Sequence, residues 1–303
     1  MRIASALWAS AKLWRSFSLG PIALHLRFAR STALTSNRRR RVTPRCPEPS
    51  ASSAQWTLPA VPATEAALGQ VAFVMGVGPG LGAAIARRFV AGGLHVALAA
   101  RNVARLQPFA RSLRADATSR VHAYSCDATS DASVKDVLSL VENDLGCPHV
   151  VVYSVQGFAR AAAIDVETSV FEDHWRQNCL GAFVFAREAA RMMLPHGRGT
   201  IVLIGSTSGM VGRPDHLTLA VGKFGLRALA HILARELGPR GIHVAHLVVD
   251  ADIKEDELHG ADVPQAEPEH IAELVWMLHR QPRSAWTSEL DVRPADERFW
   301  EHC

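Results

Sequence analysis

Short apolar runs alternate with amphipathic stretches from Gln70 onward, and each run has the length of a strand. The runs contain few polar residues, and the stretches between them repeat apolar residues at helical spacing. Continuous apolar strands separated by helices are typical of a parallel sheet that is covered on both faces. We therefore predict seven strands, which fall at residues 71–77, 95–100, 121–126, 150–155, 200–205, 243–249 and 290–293.

The stretches between these strands predict the helices that cover the sheet. They lie at residues 83–91, 103–115, 133–145, 171–194, 217–237 and 270–278. Right-handed βα crossovers of this kind build a doubly wound sheet. The predicted fold class is therefore α/β, with a mostly parallel seven-stranded sheet of the Rossmann type in a single domain over residues 67–303.

The first 66 residues do not follow this pattern. Residues 1–47 contain nine arginines, one lysine and no acidic residue, interspersed with apolar side chains, and a segment rich in proline and serine follows. A basic amphipathic segment of this composition is typical of an organelle transit peptide. We predict a targeting or disordered segment over residues 1–66 and a mitochondrial location, with a plastid or the cytoplasm as alternatives. The run Arg38 to Arg41 also resembles a nuclear-type basic signal.

The net charge of +4 is the sum of a basic N-terminal segment and an acidic remainder of the chain. Residues 48–303 contain 23 basic and 29 acidic residues, a formal net charge of −6. Nucleic-acid binding is not expected, because a surface that binds phosphates carries a positive charge. The five cysteines are widely spaced and form no C-x-x-C pair, which favours free thiols over disulfides or a zinc site. We expect no metal. We also expect no membrane span, since no uncharged apolar run has the required length.

A glycine-rich loop follows the first strand and opens the first helix. It contains Gly76, Gly78, Gly80, Leu81 and Gly82. Glycines allow the backbone to approach a pyrophosphate closely, and the N–H groups at the start of a helix face such an anion. The loop therefore predicts a dinucleotide-binding site built from these five residues.

This loop and four later positions resemble the short-chain dehydrogenase/reductase family. The loop matches the family's G-x-x-x-G-x-G motif, and residues 70–293 follow the family's order of elements. Asp127 matches the aspartate that contacts adenine, Asn178 the active-site asparagine, Ser206 the catalytic serine, and Lys223 the lysine of the Tyr-x-x-x-Lys motif. The resemblance implies an NAD(P)-dependent oxidoreductase of a small-molecule substrate, in which Lys223 serves both cofactor binding and catalysis.

The end of the second strand indicates which cofactor is preferred. An acidic residue there binds the ribose hydroxyl of NAD, whereas a basic residue accommodates the 2′-phosphate of NADP. Here the strand is followed by Arg101, whose guanidinium suits a phosphate. We predict NADP(H), with NAD(H) as the alternative. Ser154 is a further cofactor-binding candidate, because the family's loop after the fourth strand lies against the adenosine. The family's Pro-Gly after the sixth strand is replaced by Val249-Asp250.

The family's tyrosine proton donor has no counterpart at the matching position. Leu219 lies four residues before Lys223 and thirteen after Ser206, where the tyrosine is expected. His216, seven residues before Lys223, is our candidate donor, because an imidazole exchanges protons near neutral pH. That spacing is similar to the tyrosine spacing in enoyl-carrier-protein reductases of the superfamily. Ser208 and Tyr153 are further candidates, and a surface histidine in a turn is the alternative interpretation of His216.

Three functions therefore stay open at this point. The chain reduces or oxidises a small carbonyl or alcohol with a replacement donor, or it reduces an enoyl thioester, or it is a catalytically inactive nucleotide-binding sensor or partner subunit. We favour an oxidoreductase because Asn178, Ser206 and Lys223 are all present. Apolar residues on more than one face of the helices at 171–194 and 217–237 also predict a homodimer or homotetramer.

Overall fold

The computed structural model describes residues 68–115, 118–250, 252–253 and 265–295, and within them the predicted fold class is confirmed. Seven strands form one sheet, namely β1 (Val71–Met75), β2 (His95–Ala100), β3 (Val121–Ser125), β4 (Val150–Tyr153), β5 (Gly199–Ser206), β6 (Ile242–Val249) and β9 (Glu289–Val292), the last of which follows two short strands described below. Their order in the sheet is β3-β2-β1-β4-β5-β6-β9, and every neighbouring pair is parallel. The predicted targeting segment 1–66 lies outside the described residues, so its role stays a prediction.

Helices cover both faces of this sheet, as the apolar strands require. They are α1 (Leu81–Ala91), α2 (Val103–Ala115), α3 (Asp131–Leu145), α4 (Thr168–Trp175), α5 (Gly181–Met193), α6 (Leu217–Leu237) and α7 (Pro268–Arg280). Alternate residues of β1 enter different cores: Phe73 packs edge to face with Phe185 of α5, whereas Val74 lies in the cluster that contains Phe89 and Trp276. The core is therefore divided into two layers by the sheet, with α3, α5 and α6 on one side and α1, α2 and α7 on the other.

The prediction of one continuous helix over residues 171–194 was wrong in one respect. The chain forms α4, then a π-helical turn at Arg176–Leu180, and only then α5. A π turn inserts an extra residue into the helix and is frequent at functional sites. At its end, a side chain on Gly181 would collide with the Tyr153 hydroxyl and with the carbonyl of Ala128, so a glycine lets α5 approach β4 closely.

One described helix, spanning Leu217–Arg240 when its last turn is included, is long and apolar enough to cross a membrane. Length and composition alone meet that test, and helices in the core of folded domains meet it too. In this structure α6 packs against the sheet, with Leu226 and Ala230 fully buried.

The acidic stretch after β6 is described only at its two ends. Two short strands, β7 (Asp252–Ile253) and β8 (Gln265–Ala266), pair in parallel as a separate two-stranded sheet. The sequence predicts that residues 250–267 shape the substrate pocket, but most of this stretch lies outside the described residues.

Candidate active site

A cleft of about 890 Å³ lies at the carboxyl ends of β1, β4, β5 and β6. Ligands of open parallel sheets bind at this edge, where neighbouring crossovers leave in opposite directions. Most of the predicted site residues line this cleft, namely Gly76, Gly78, Gly80, Leu81, Gly82, Arg101, Asp127, Ser154, Ser206, His216 and Lys223. Asn178 and the further candidate Tyr153 do not line it. The position matched to the family's tyrosine, Leu219, also lines the cleft.

The glycine loop forms one end of this cleft. Gly76 has a φ of +91°, and a side chain there would meet the backbone of Ser154 and Val155 at 2.8 Å. A side chain on Gly82 would meet the Gly76 carbonyl oxygen, also at 2.8 Å. Among the described residues no side chain caps the N-terminus of α1, and the first turn of this helix carries no acid. The first N–H groups of the helix are therefore left for the oxygens of an anion.

Arg101 and Asp127 stand beside the glycine loop, beyond the ends of β2 and β3. Both residues are exposed. The Asp127 carboxylate accepts hydrogen bonds from the backbone N–H and the hydroxyl of Thr129, at 2.9 and 2.8 Å. The Ser154 N–H donates to the Met75 carbonyl at 2.9 Å, which ties the loop after β4 to the end of β1. These residues can hold the adenosine half of a dinucleotide.

Ser206 and Lys223 lie at the other end of the cleft. Ser206 is the last residue of β5, and its hydroxyl accepts a hydrogen bond from the Ser208 N–H at 3.2 Å. Lys223 comes from α6, is 1% exposed, and donates from Nζ to the Ile204 carbonyl at 2.9 Å. No carboxylate pairs with its ammonium in the described part of the chain. Burial without a counter-charge lowers the pKa of Lys223 from 10.5 to about 8.

Leu219 and His216 face the cleft one turn apart at the start of α6. Leu219 is 6% exposed and brings no polar atom into the cleft. His216 is half-buried, and its ring stacks on Phe158 with centroids 5.1 Å apart. Its Nδ1 atom lies 2.7 Å from the Pro214 carbonyl. Because a carbonyl oxygen only accepts, Nδ1 carries a proton and Nε2 is left to exchange one with a ligand.

The two further candidates for proton donation differ in the structure. Tyr153 is fully buried, does not line the cleft, and donates its hydroxyl hydrogen to the Gln177 carbonyl at 2.6 Å. Burial also raises the pKa of Tyr153. Tyr153 is therefore a structural residue rather than a proton donor. Ser208 lines the cleft but is largely buried.

Asn178 joins three parts of the wall instead of facing the cleft. Its side chain is fully buried in the π turn. Its Oδ1 accepts from the Gly157 N–H at 3.1 Å, and its Nδ2 donates to the Gly157 carbonyl at 2.7 Å and to the Thr218 carbonyl at 3.5 Å. The Thr218 hydroxyl continues the link through two hydrogen bonds to the backbone of Ala159. Asn178 thus fixes the loop after β4 against α6.

We expect Asn178→Ala to lower the free energy of unfolding by about 2–4 kcal/mol, because it leaves the buried N–H and carbonyl of Gly157 without partners. Urea denaturation measures this change. Asn143→Ala, at an exposed position of α3, is the matched control and should change stability by less than about 0.5 kcal/mol. Equal stability of the two variants would contradict the bracing role.

The sequence missed several residues of the cleft that the fold brings in from distant segments. Phe158, Asp173, Arg176, Gln177, Thr207, Arg213 and Asp250 all line it. The Thr207 hydroxyl donates to the Asp250 carboxylate at 2.7 Å, and Arg293 lies 3.3 Å from its other oxygen. The substitution of Val249-Asp250 for Pro-Gly was visible in the sequence, but its partners were not. Within the described residues, no group of three or more histidine, cysteine or acidic side chains is placed to hold a metal ion.

Comparison with known proteins agrees with this geometry. A family profile described as short chain dehydrogenase matches residues 70–252. Sorbitol-6-phosphate 2-dehydrogenase of Escherichia coli is 34% identical over 185 residues, which are 60% of this chain and 71% of that protein. D-threitol dehydrogenase of Mycolicibacterium smegmatis is 30% identical over 177 residues, 58% of this chain and 67% of that protein.

A solved structure with the same fold was determined with a cofactor. It is a metagenomic short-chain oxidoreductase in complex with NADP, 26% identical, with a TM-score of 0.67. The match covers 76% of this chain and 99% of that chain. The similarity therefore extends over nearly all of that protein.

Proposed function

The chain belongs to the short-chain dehydrogenase family, and on that premise we propose that it is an NADP(H)-dependent oxidoreductase that interconverts a small alcohol and its carbonyl compound. The observation that carries this proposal is one continuous cleft, in which the glycine loop at one end faces Ser206, His216 and Lys223 at the other. Two relatives named for the oxidation of polyols support an alcohol as the substrate class.

The residues of the cleft fit a nicotinamide dinucleotide. Gly76 and Gly82 leave the space that a pyrophosphate needs, and α1 offers its free N–H groups there. Lys223 also lines the cleft and would bind the ribose next to the nicotinamide. When bound, the nicotinamide supplies or takes the hydride. Lys223 then adds a positive charge that attracts the negatively charged cofactor.

We propose that NADP(H) is preferred over NAD(H) because of Arg101. A hydrogen bond to a charged group contributes about 1.5–3 kcal/mol, so Arg101→Gln should weaken NADPH binding about 10- to 150-fold. NADH binding should change less than about threefold, since NADH lacks the 2′-phosphate. Titration of tryptophan fluorescence with each cofactor measures both affinities. The control is Arg105→Gln, an exposed arginine of α2 that does not line the cleft. Equal weakening for both cofactors would contradict this role.

We propose that His216 carries the proton in place of the family's tyrosine. During reduction, His216 Nε2–H donates to the carbonyl oxygen while Ser206 holds that oxygen with its hydroxyl. During oxidation, the neutral Nε2 accepts the alcohol proton. Phe158 stacks on the imidazole and the Pro214 carbonyl binds Nδ1, so the ring is held with Nε2 free.

The second candidate function is a nucleotide-binding sensor without turnover, and Leu219 is the observation that favours it. The experiment that separates the two is a titration with NADPH, followed by a screen of polyols, ketones and 2-enoyl-thioesters. Binding with turnover of an alcohol or ketone supports the proposal. Binding with no turnover favours the sensor, turnover of enoyl-thioesters alone favours the reductase of activated double bonds, and no binding contradicts all three.

We also propose that the chain forms a homo-oligomer through α5 and α6. Large apolar side chains are exposed on these helices at Phe183, Val221, Phe224 and Ile232, with exposures of 39–54%. Val221, Phe224 and Ile232 lie at helical spacing on one stripe of α6. Phe224→Glu should shift sedimentation from a dimer or tetramer to a monomer. A monomeric unchanged chain would contradict the proposal.

A further inference from the structure

One arginine on the wall of the cleft has a buried donor atom without a hydrogen-bond acceptor among the described residues. Arg213 lies in the turn before α6 and lines the cleft together with His216. Its Nη2 atom is buried without a hydrogen-bond partner, and the side chain forms no ion pair within the described residues. Buried polar groups in folded proteins are normally satisfied, and an unsatisfied one that belongs to a cation is costly. The described residues therefore provide no hydrogen-bond acceptor for the Arg213 Nη2 atom at this position of the wall.

The other charges of the cleft already have partners or face solvent. Arg176 donates from Nε and Nη2 to the Glu172 carboxylate at 3.0 and 2.8 Å. Lys223 donates to the Ile204 carbonyl, and Asp250 is engaged by Thr207 and Arg293. Asp173 is an exposed acid on the same wall. Arg213 is thus the cation of this wall that has a buried donor without an acceptor among the described residues.

The turn that carries Arg213 is held in a fixed conformation. Asp215 adopts a φ of +62°, and its carbonyl accepts a hydrogen bond from the Ala161 N–H at 3.3 Å. The His216 N–H donates to the Arg213 carbonyl at 3.3 Å, which closes the turn. Arg213 and His216 are therefore held three residues apart on one tight turn. A group bound by Arg213 would have a fixed position relative to the imidazole.

We propose that Arg213 binds an oxyanion carried by the substrate. The substrate is then a small alcohol or ketone that also bears a phosphate or a carboxylate. A guanidinium binds both groups through paired N–H donors, so this chemistry is shared by the two anions. The redox part of this statement rests on the proposed function, whereas the anion site itself does not.

The test is calorimetric titration of the full chain with inorganic phosphate and with acetate, in the presence of saturating NADPH. The cofactor fills the phosphate sites of the glycine loop, so the remaining heat reports on the substrate end. Arg213→Gln should weaken anion binding at least tenfold. Arg176→Gln is the matched control on the same wall, and it should change binding less than threefold because Arg176 is already paired. The stronger of the two anions identifies the substrate's charged group.

Three results would overturn the inference: no anion binding to the unchanged chain, equal binding in Arg213→Gln, or an equal loss in both variants, which would indicate diffuse charge. Thermal unfolding of both variants checks that they are folded. Failure of NADPH to bind counts against the proposed function instead, and the same titrations without cofactor then still compare the two arginines. A dependence of phosphate or acetate binding on Arg213 alone supports the anion site in either case.

Discussion

His216→Gln is expected to lower kcat for carbonyl reduction by about 10²- to 10⁴-fold, the usual contribution of general acid catalysis. Glutamine keeps a polar side chain of similar reach but has no proton that it can give up near neutral pH. NADPH affinity should be unchanged, since His216 is assigned to the substrate. The measurement is steady-state kinetics with the best alcohol or ketone from the substrate screen, combined with a cofactor titration.

A second substitution decides whether the loss concerns proton transfer. Leu219 lines the same cleft one turn further along α6, at the position matched to the family's tyrosine. Leu219→Tyr in the His216→Gln background should restore kcat by at least tenfold, because a phenol next to Lys223 is a proton donor. Leu219→Phe is the matched control: it has the same ring but no hydroxyl, and it should restore nothing. Unchanged kcat in His216→Gln, or equal rescue by phenylalanine, would contradict the assigned role.

The second large effect concerns Lys223, whose burial makes the free energy of unfolding depend on pH. Burial lowers the pKa of Lys223 to about 8 in the folded chain, whereas the unfolded chain retains the usual value of 10.5. Between these pH values the unfolded state binds the proton and the folded state does not, so stability rises with pH through this interval. The contribution over the full interval is about 3 kcal/mol.

Comparison with Lys223→Met isolates that contribution. The free energy of unfolding of the unchanged chain, minus that of the variant, should grow by up to about 3 kcal/mol from pH 8 to 10.5. Burial raises the pKa of the thiols of Cys126, Cys147 and Cys179, and because both proteins contain them, their contribution cancels in this difference. Lys135→Met, at a half-exposed position on α3, is the control and should give a flat difference. If the difference in the free energy of unfolding did not change with pH for Lys223→Met either, Lys223 would not be buried as an unpaired charge.

The periodicity of the sequence was sufficient for the fold, because buried parallel strands leave a strong local signal. β1, β2 and β6 appear as nearly unbroken apolar runs, and all eight residues of β6 are buried. The glycine loop could also be identified, since its motif, the strand before it and the helix after it are contiguous. The sequence therefore identified the glycine loop, Arg101, Asp127 and Ser154, all of which line that end of the cleft.

The substrate end depends on contacts between segments that are distant in the chain. The π turn that breaks the predicted helix at 171–194 leaves no periodic pattern in the sequence. It is stabilised by the hydrogen bonds of Asn178 to Gly157 and Thr218. The sequence left open that His216 lies in a surface turn, because nothing local shows that Ala161 pairs with this turn. The sequence predicted His216 from its spacing to Lys223 and from the proton chemistry of an imidazole, and the structure adds that its ring stacks on Phe158.

The use of both tyrosines as structural residues has a spectroscopic consequence. The chain contains only Tyr124 and Tyr153, and their hydroxyls donate to Asp144 and to the Gln177 carbonyl. Burial raises the pKa of both phenols, so neither contributes tyrosinate absorbance at mildly alkaline pH. The folded chain therefore has no phenolate absorbance of its own at that pH. A tyrosine introduced at position 219 would be the first phenol to ionise. The pH at which its phenolate absorbance appears would report how the charge of the neighbouring Lys223 changes the pKa of that phenol.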